Sequence, residues 1–312
     1  MRDEFGREID YLRISITDRC NLRCRYCMPE DGVKWIPKSE ILSFEEILEV
    51  CRAASKLGFK KFRLTGGEPL VRLGIIGFIE KISKIDGIDD IAMTTNGILL
   101  GDMADELKMA GLKRINVSLD TLNPEKYRYI TRGGDVKRVL DGIRKAFYAG
   151  LYPVKINTVL IKGFNDDEID DLVNLTSIYP VDVRFIELMP IGEAMNMDYI
   201  PCDRVLDGGK LIPLGEDGVA SYYRLENAIG RVGLIRPMSC KFCSRCNRLR
   251  LTSDGRLKPC LLKDMEVDLK GPLRRGEDIV PVIKKALDIK PKEHEADAGE
   301  YLKNGDMYEI GG

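Results

Sequence analysis

Three cysteines stand in the run Cys20-Asn-Leu-Arg-Cys24-Arg-Tyr-Cys27, a C-x3-C-x2-C spacing. Three thiolates this close together are placed to hold one iron–sulfur cluster, and three ligands on a four-iron cluster leave one iron open. An open position is what separates a catalytic metal site from a closed structural one. A disulfide framework belongs to short secreted chains, whereas this chain has 312 residues and an odd count of nine cysteines. A structural zinc site takes four protein ligands, and the single histidine of the sequence, His294, is far away. Inert buried thiols do not cluster at this spacing.

A second cysteine group lies near the other end. Cys240, Cys243 and Cys246 are spaced C-x2-C-x2-C, and Cys260 follows Cys246 at C-x13-C. Cys243, Cys246 and Cys260 make a second three-ligand set for a cluster with an open iron. With Cys240 added, the set closes around zinc or forms a fully ligated electron-transfer cluster. Spacing alone leaves these readings open, zinc being the weakest of them. Cys51 and Cys202 read as structural thiols, and His294, in a charged tail, as solvated. A turn, Gly66-Gly67-Glu68-Pro69, follows a strand pattern; its glycines permit close backbone approach and its proline fixes the turn.

The elements that must position these groups alternate. Strand patterns cover 11–17, 61–65, 91–95, 114–119, 154–161 and 182–188. Helical patterns fit from the Ser43-Phe-Glu-Glu46 capping box to Gly58, then 75–85, 102–110, 136–149 and 166–178. Repeated βα units predict an α/β fold with a parallel sheet, here a partial (β/α)6 TIM-type barrel with a Cys-rich C-terminal extension. The barrel core is expected over 1–235 and the second-cluster extension with its Gly-Gly tail over 236–312. Barrel sites lie at the C-terminal ends of strands, where Cys20–Cys27, Gly66–Pro69, Thr94–Gly97, Ser118–Asp120 and Glu187–Met189 all fall. Residues 203–233 give no firm pattern, and the polar tail from Lys290 onward reads as mobile.

Composition narrows the function. A net charge of −1 argues against a general nucleic-acid binder, which carries a basic face. No apolar run approaches the roughly 20 residues of a membrane span. Many thiols without an apolar signal run at the N-terminus lead us to expect a reducing cytoplasm. With one histidine, the chemistry must rest on Cys-held metal, on Arg and Lys, or on carboxylates.

The cysteine triad with Tyr26 before its third member, followed by the Gly66–Pro69 turn, resembles the radical S-adenosylmethionine (SAM) superfamily. That likeness implies reductive cleavage of SAM at the open iron and hydrogen abstraction by a 5′-deoxyadenosyl radical. Phe5-Gly-Arg7, the run Tyr11–Cys20, Cys27-Met-Pro29, Cys246-Asn-Arg-Leu-Arg-Leu-Thr252 and the terminal Gly311-Gly312 resemble the GTP 3′,8-cyclase family, the first enzymes of molybdenum cofactor biosynthesis. The resemblance implies two [4Fe-4S] clusters, the second on Cys243, Cys246 and Cys260 with its open iron on guanine, which leaves Cys240 as a departure. It also implies GTP contacts at Arg13, Arg63, Thr94, Lys155, Arg184, Arg248 and Arg250, and SAM contacts at Tyr26, Gly67, Ser118 and Met189. Arg248, Arg250 and the Gly311-Gly312 tail are implied in catalysis. A triphosphate needs several cations in one pocket, which these residues on separate strands can supply, although Lys155 taken alone reads as a surface charge. Further implications are an external electron donor and a downstream cyclic pyranopterin monophosphate synthase, with no nucleic-acid or membrane partner and a monomer or homodimer. A radical SAM peptide maturase and a non-catalytic electron carrier are the rival readings. The first should lack the Asn247–Arg250 run and the Gly-Gly end, and the second needs every iron closed.

Overall fold

A computed structural model describes residues 1–296 and 307–311. The six alternating runs become strands β1 (Tyr11–Ser15), β2 (Lys61–Thr65), β3 (Asp90–Thr95), β4 (Arg114–Ser118), β5 (Val154–Leu160) and β6 (Val181–Glu187). Each pairs in parallel with the next. Helices α1 (Phe44–Lys56), α2 (Ile75–Ile82), α3 (Leu100–Met109), α4 (Pro124–Thr131), α5 (Val136–Tyr148) and α6 (Ile169–Ile178) connect them.

Alternation along each strand decides what faces where. Leu12, Ile14, Phe62, Leu64, Ile115, Val117 and Val183 are almost completely buried in one core, where helices such as α1, through Ile47, Val50 and Ala54, pack against the sheet. The intervening residues point the other way, and they are polar: Arg13, Arg63, Thr94, Asn116, Ser118, Lys155, Asn157 and Arg184 all line a central cavity. A closed TIM barrel fills its interior with branched apolar side chains. This one has replaced that filling with donors.

Four differences from the sequence expectation have local causes. Helix α4 was not expected; Asn123 caps it by accepting from the Glu125 and Lys126 backbone N–H groups, and Pro124 occupies its first turn. Helix α6 starts three residues later than predicted, because Asn165 is engaged with the Ile161 N–H and the Asp120 carbonyl. Residues 203–233, without a pattern in sequence, hold an antiparallel hairpin, β7 (Leu211–Asp217) and β8 (Ala220–Leu225), and then β9 (Arg231–Ile235), which lies parallel to β6. At the opposite edge β10 (Arg248–Leu251) lies parallel to β1, followed by β11 (Arg256–Lys258) and β12 (Val267–Asp268). The parallel run is therefore longer than six strands and is flanked on both sides by strands of the C-terminal half. The sheet order is β12-β11-β10-β1-β2-β3-β4-β5-β6-β9-β8-β7, so the barrel stays open between β9 and β10.

Helices α7 (Lys270–Arg274), α8 (Val280–Asp288) and α9 (Met307–Ile310) complete the described chain. Among the described residues no helix is long and apolar enough to cross a membrane.

The predicted capping box is present: Ser43 Oγ accepts from Glu46 N at 3.1 Å, and Glu46 Oε2 accepts from Ser43 N at 2.6 Å. Glu46 Oε1 also accepts from Arg274 Nε at 2.7 Å, tying α1 to α7. Replacing Ser43 with Ala should lower stability by about 1 kcal/mol. In a urea titration the midpoint should fall with the slope unchanged.

Candidate active site

The barrel interior encloses a cavity of about 460 Å³. Parallel register places Arg250 beside Arg13 and Arg13 beside Arg63 on three adjacent strands. One layer down, Arg248, Tyr11 and Lys61 are aligned in the same way. Arg184 enters from β6, and Lys155 from β5 is only 6% exposed, so the surface-charge reading of Lys155 is replaced by a buried one. Its ammonium reaches Tyr222 Oη at 3.1 Å and Asp182 at 3.5 Å. Arg63 and Arg184 are held by hydroxyl, amide and carbonyl oxygens rather than by carboxylates. Arg63 donates to the Tyr11 hydroxyl, to Thr94 Oγ1 at 3.3 Å and to the Met93 carbonyl at 3.4 Å. Arg184 donates twice to Asn157 Oδ1.

This crowding is visible in the acid–base properties. Burial lowers Arg184 to about 10, and burial followed by Arg248 lowers Arg250 to about 10. Burial works to raise Tyr11, but Arg63, Arg13 and Arg248 outweigh it and bring the phenol down to about 7. A pocket that depresses its cations and favours a phenolate is one built to receive an anion.

At the C-terminal ends of the strands, Cys20, Cys24 and Cys27 sit in the loop after β1. Burial raises Cys24 well above the usual thiol range, and Cys27 and Cys20 add to it, so the three sulfurs feel one another. Burial likewise pushes Cys20 up to about 11. The Leu22 N–H donates to Cys20 Sγ at 3.4 Å and Asn96 Nδ2 at 3.8 Å. Three gathered thiols with N–H donors aimed at sulfur fit an iron–sulfur cluster.

Two devices hold the loop. The Gly67 N–H donates to the Thr17 carbonyl and the Glu68 N–H to that of Arg19, both at 2.7 Å. A Cβ on Gly67 would collide with the Asp18 and Arg19 carbonyl oxygens. Tyr26 Oη donates to Asp120 Oδ2 at 2.8 Å, and the Val159 N–H donates to Asp120 Oδ1. Tyr26, Ser118 and Met189 line the cavity, whereas Gly67 lies outside its lining.

Cys243, Cys246 and Cys260 line the same cavity; Cys240 does not, and is exposed. The Cys243 thiol is raised by burial and further by Cys260 and Cys246. Cys246 is lowered: burial opposes ionisation, but Lys290 and Arg248 outweigh it. Three thiols facing the cavity with cations at hand fit a cluster with an open side better than a four-thiol closed site. Cys51 and Cys202 are fully buried away from it, as expected of structural thiols.

The C-terminal residues return to this site. Gly311 lies at φ +78°, accepts from Arg250 Nη1 at 3.0 Å, and leaves no room for a Cβ beside Thr65 and Ser15. Gly312 lies outside the described residues. The expectation of a mobile tail from Lys290 is corrected for residues 290–296: Lys290 is 2% exposed and His294 5% exposed, and His294 lines the cavity. Arg7 holds this stretch, donating to the carbonyls of Pro291, Lys292 and Cys243. Sequence reasoning missed Asn96, Asn157 and Lys290; only Asn96, beside a strand end and a glycine, carried a local signal.

Residues 14–176 match the Radical SAM superfamily and residues 181–296 match Molybdenum Cofactor Synthesis C. The chain is 54% identical to the GTP 3′,8-cyclase of Peptoclostridium acidaminophilum, covering 99% of this chain and 98% of the relative. It is 52% identical to that of Pelotomaculum thermopropionicum, with full coverage of both. The structure of Streptococcus suis SuiB bound to S-adenosylmethionine aligns with a TM-score of 0.64 at 14% identity, over 88% of this chain and 65% of that one. SuiB bound to its precursor peptide SuiA aligns at 0.63 and 14%. At that identity the likeness is one of fold.

Because Gly67 has backbone on the side where a Cβ would project, Gly67→Ala should force the loop before Cys20 away. Anaerobic reconstitution followed by iron analysis should find about four iron atoms fewer than in the native protein.

Proposed function

The chain belongs to the GTP 3′,8-cyclase family within the radical SAM superfamily, and from that premise we propose that it converts GTP to (8S)-3′,8-cyclo-7,8-dihydroguanosine 5′-triphosphate, the first step of molybdenum cofactor biosynthesis. The observation that carries the substrate is the in-register row Arg250, Arg13 and Arg63, with Arg248, Lys155 and Arg184 around it. A triphosphate supplies the charge this row lacks, and guanidinium forks match its oxygens bidentately.

Cys20, Cys24 and Cys27 hold a [4Fe-4S] cluster, and Tyr26, Gly67, Ser118 and Met189 position SAM beside it. Together these groups supply, when bound, a 5′-deoxyadenosyl radical that takes hydrogen from ribose C3′. Arg13, Arg63, Thr94, Lys155 and Arg184 grip the triphosphate and thereby hold C3′ in place, which is the proximity contribution. Cys243, Cys246 and Cys260 would hold a second [4Fe-4S] cluster, which would supply a binding position for the guanine, leaving Cys240 as a bystander thiol. Arg248 and Arg250 share that grip on GTP and take part in catalysis as C3′ joins C8. The Gly311-Gly312 pair assists catalysis, Gly311 through its carbonyl on Arg250. An external donor supplies electrons, and the product passes to cyclic pyranopterin monophosphate synthase in the cytoplasm.

Reconstituted anaerobically, the protein should bind about eight iron atoms and form 5′-deoxyadenosine from SAM and reductant in proportion to added GTP. Turnover without any dependence on GTP would sink the cyclase reading. Cys240→Ser should keep both its iron and its turnover. A loss of about four iron atoms would make Cys240 a fourth ligand.

A further inference from the structure

Resting on the reading that Cys243, Cys246 and Cys260 hold a second cluster, we propose that Lys290 is a positioning residue for it: its ammonium joins the two cysteine segments and donates to the Cys246 sulfur, setting the cluster's reduction potential. Lys290 lies just beyond the end of α8, and its side chain is turned inward with 2% exposure. An ammonium has three N–H donors, and Lys290 Nζ has three acceptors: Cys246 Sγ at 3.6 Å, the Arg248 carbonyl at 2.9 Å and the Pro259 carbonyl at 2.6 Å. Two acceptors belong to the Cys246 segment and one to the residue before Cys260. One side chain thus fixes the separation of two cysteines that lie on opposite sides of the β10–β11 hairpin.

A buried cation needs a counter-charge. The acceptors of the Lys290 ammonium are two carbonyls and the Cys246 sulfur, and that sulfur, as a cluster ligand, would be a thiolate and supply the counter-charge. Hydrogen bonds to ligand sulfur and local charge are the levers by which a protein sets a cluster potential. A cation on ligand sulfur favours the reduced, more negative cluster and so raises the potential. This role lies outside turnover itself. It concerns how readily the cluster beside the guanine takes up an electron.

The test uses the full chain with Cys20, Cys24 and Cys27 replaced by Ala, so that only the second cluster remains, together with the otherwise native protein. Lys290→Met keeps the side-chain length and removes the charge and donors; Lys290→Arg keeps both. Iron content and an electron-paramagnetic-resonance redox titration are read for each. The expected result is a second cluster retained in Lys290→Met with its midpoint shifted negative, and a midpoint restored toward native in Lys290→Arg. An unshifted midpoint in Lys290→Met overturns the proposal. If Lys290→Met loses the cluster, retention in Lys290→Arg at the native midpoint supports the proposal, and loss in both overturns it. No iron in the chain that lacks the first three cysteines but keeps Lys290 overturns the two-cluster reading, and the proposal with it.

Discussion

Like charge held at fixed spacing is the constraint on which this structure turns. Strands of a sheet lie about 4.8 Å apart, and the register of β10, β1 and β2 gives each of three consecutive strands an arginine in one layer. Burial, and then the neighbouring Arg250, Arg248 and Arg63, hold Arg13 well below the usual guanidinium range, so the row repels itself. Folding alone gives the protein no reason to accept this. The apolar face of the same strands, with Leu12, Ile14, Phe62 and Leu64 buried against the helices, holds the register against the repulsion. The neutral partners of the cations, such as Asn157 for Arg184 and Thr94 for Arg63, orient guanidinium groups without discharging them. The interior is therefore tensioned toward a polyanion before any ligand arrives.

The same logic runs in reverse at the cysteine loop. Burial raises the thiols of Cys20 and Cys24 and so favours neutral sulfur. Metal ligation requires thiolate, and cluster assembly therefore releases protons that the burial was retaining. Backbone hydrogen bonds from Gly67 and Glu68 to Thr17 and Arg19 fix the loop independently of its charge.

Much of this was legible in sequence, and the reason is locality. Period-two alternation located the six strands because each is buried on one face and polar on the other, and thiol spacing within one loop is preserved on folding. What escaped depends on partners far away in the chain. Strand β9 gains its meaning only beside β6, and β10 only beside β1. Lys290 looks like one more charge in a polar tail until α8 carries it against the β10–β11 hairpin. His294 is buried because Arg7, nearly the whole chain away, clamps the carbonyls just before it. Helix α4 was missed for a different reason: its Asn123-Pro124 start is a recognisable cap, but its short length gives little periodicity to count.

The return of the chain end explains why both halves must be present at once. Gly311 sits above the arginine row, on Ser15 and Thr65 of β1 and β2, and accepts from Arg250 of β10. Those three strands are contributed by opposite ends of the sequence, and they meet only because β10 pairs with β1. A left-handed backbone and the absence of a Cβ are both required there, conditions that glycine alone meets without strain. A carbonyl placed on Arg250 occupies one of its donors while leaving the others for the cavity. Gly311 thus ties β1, β2 and β10 together at the ends of the strands that carry the arginine row.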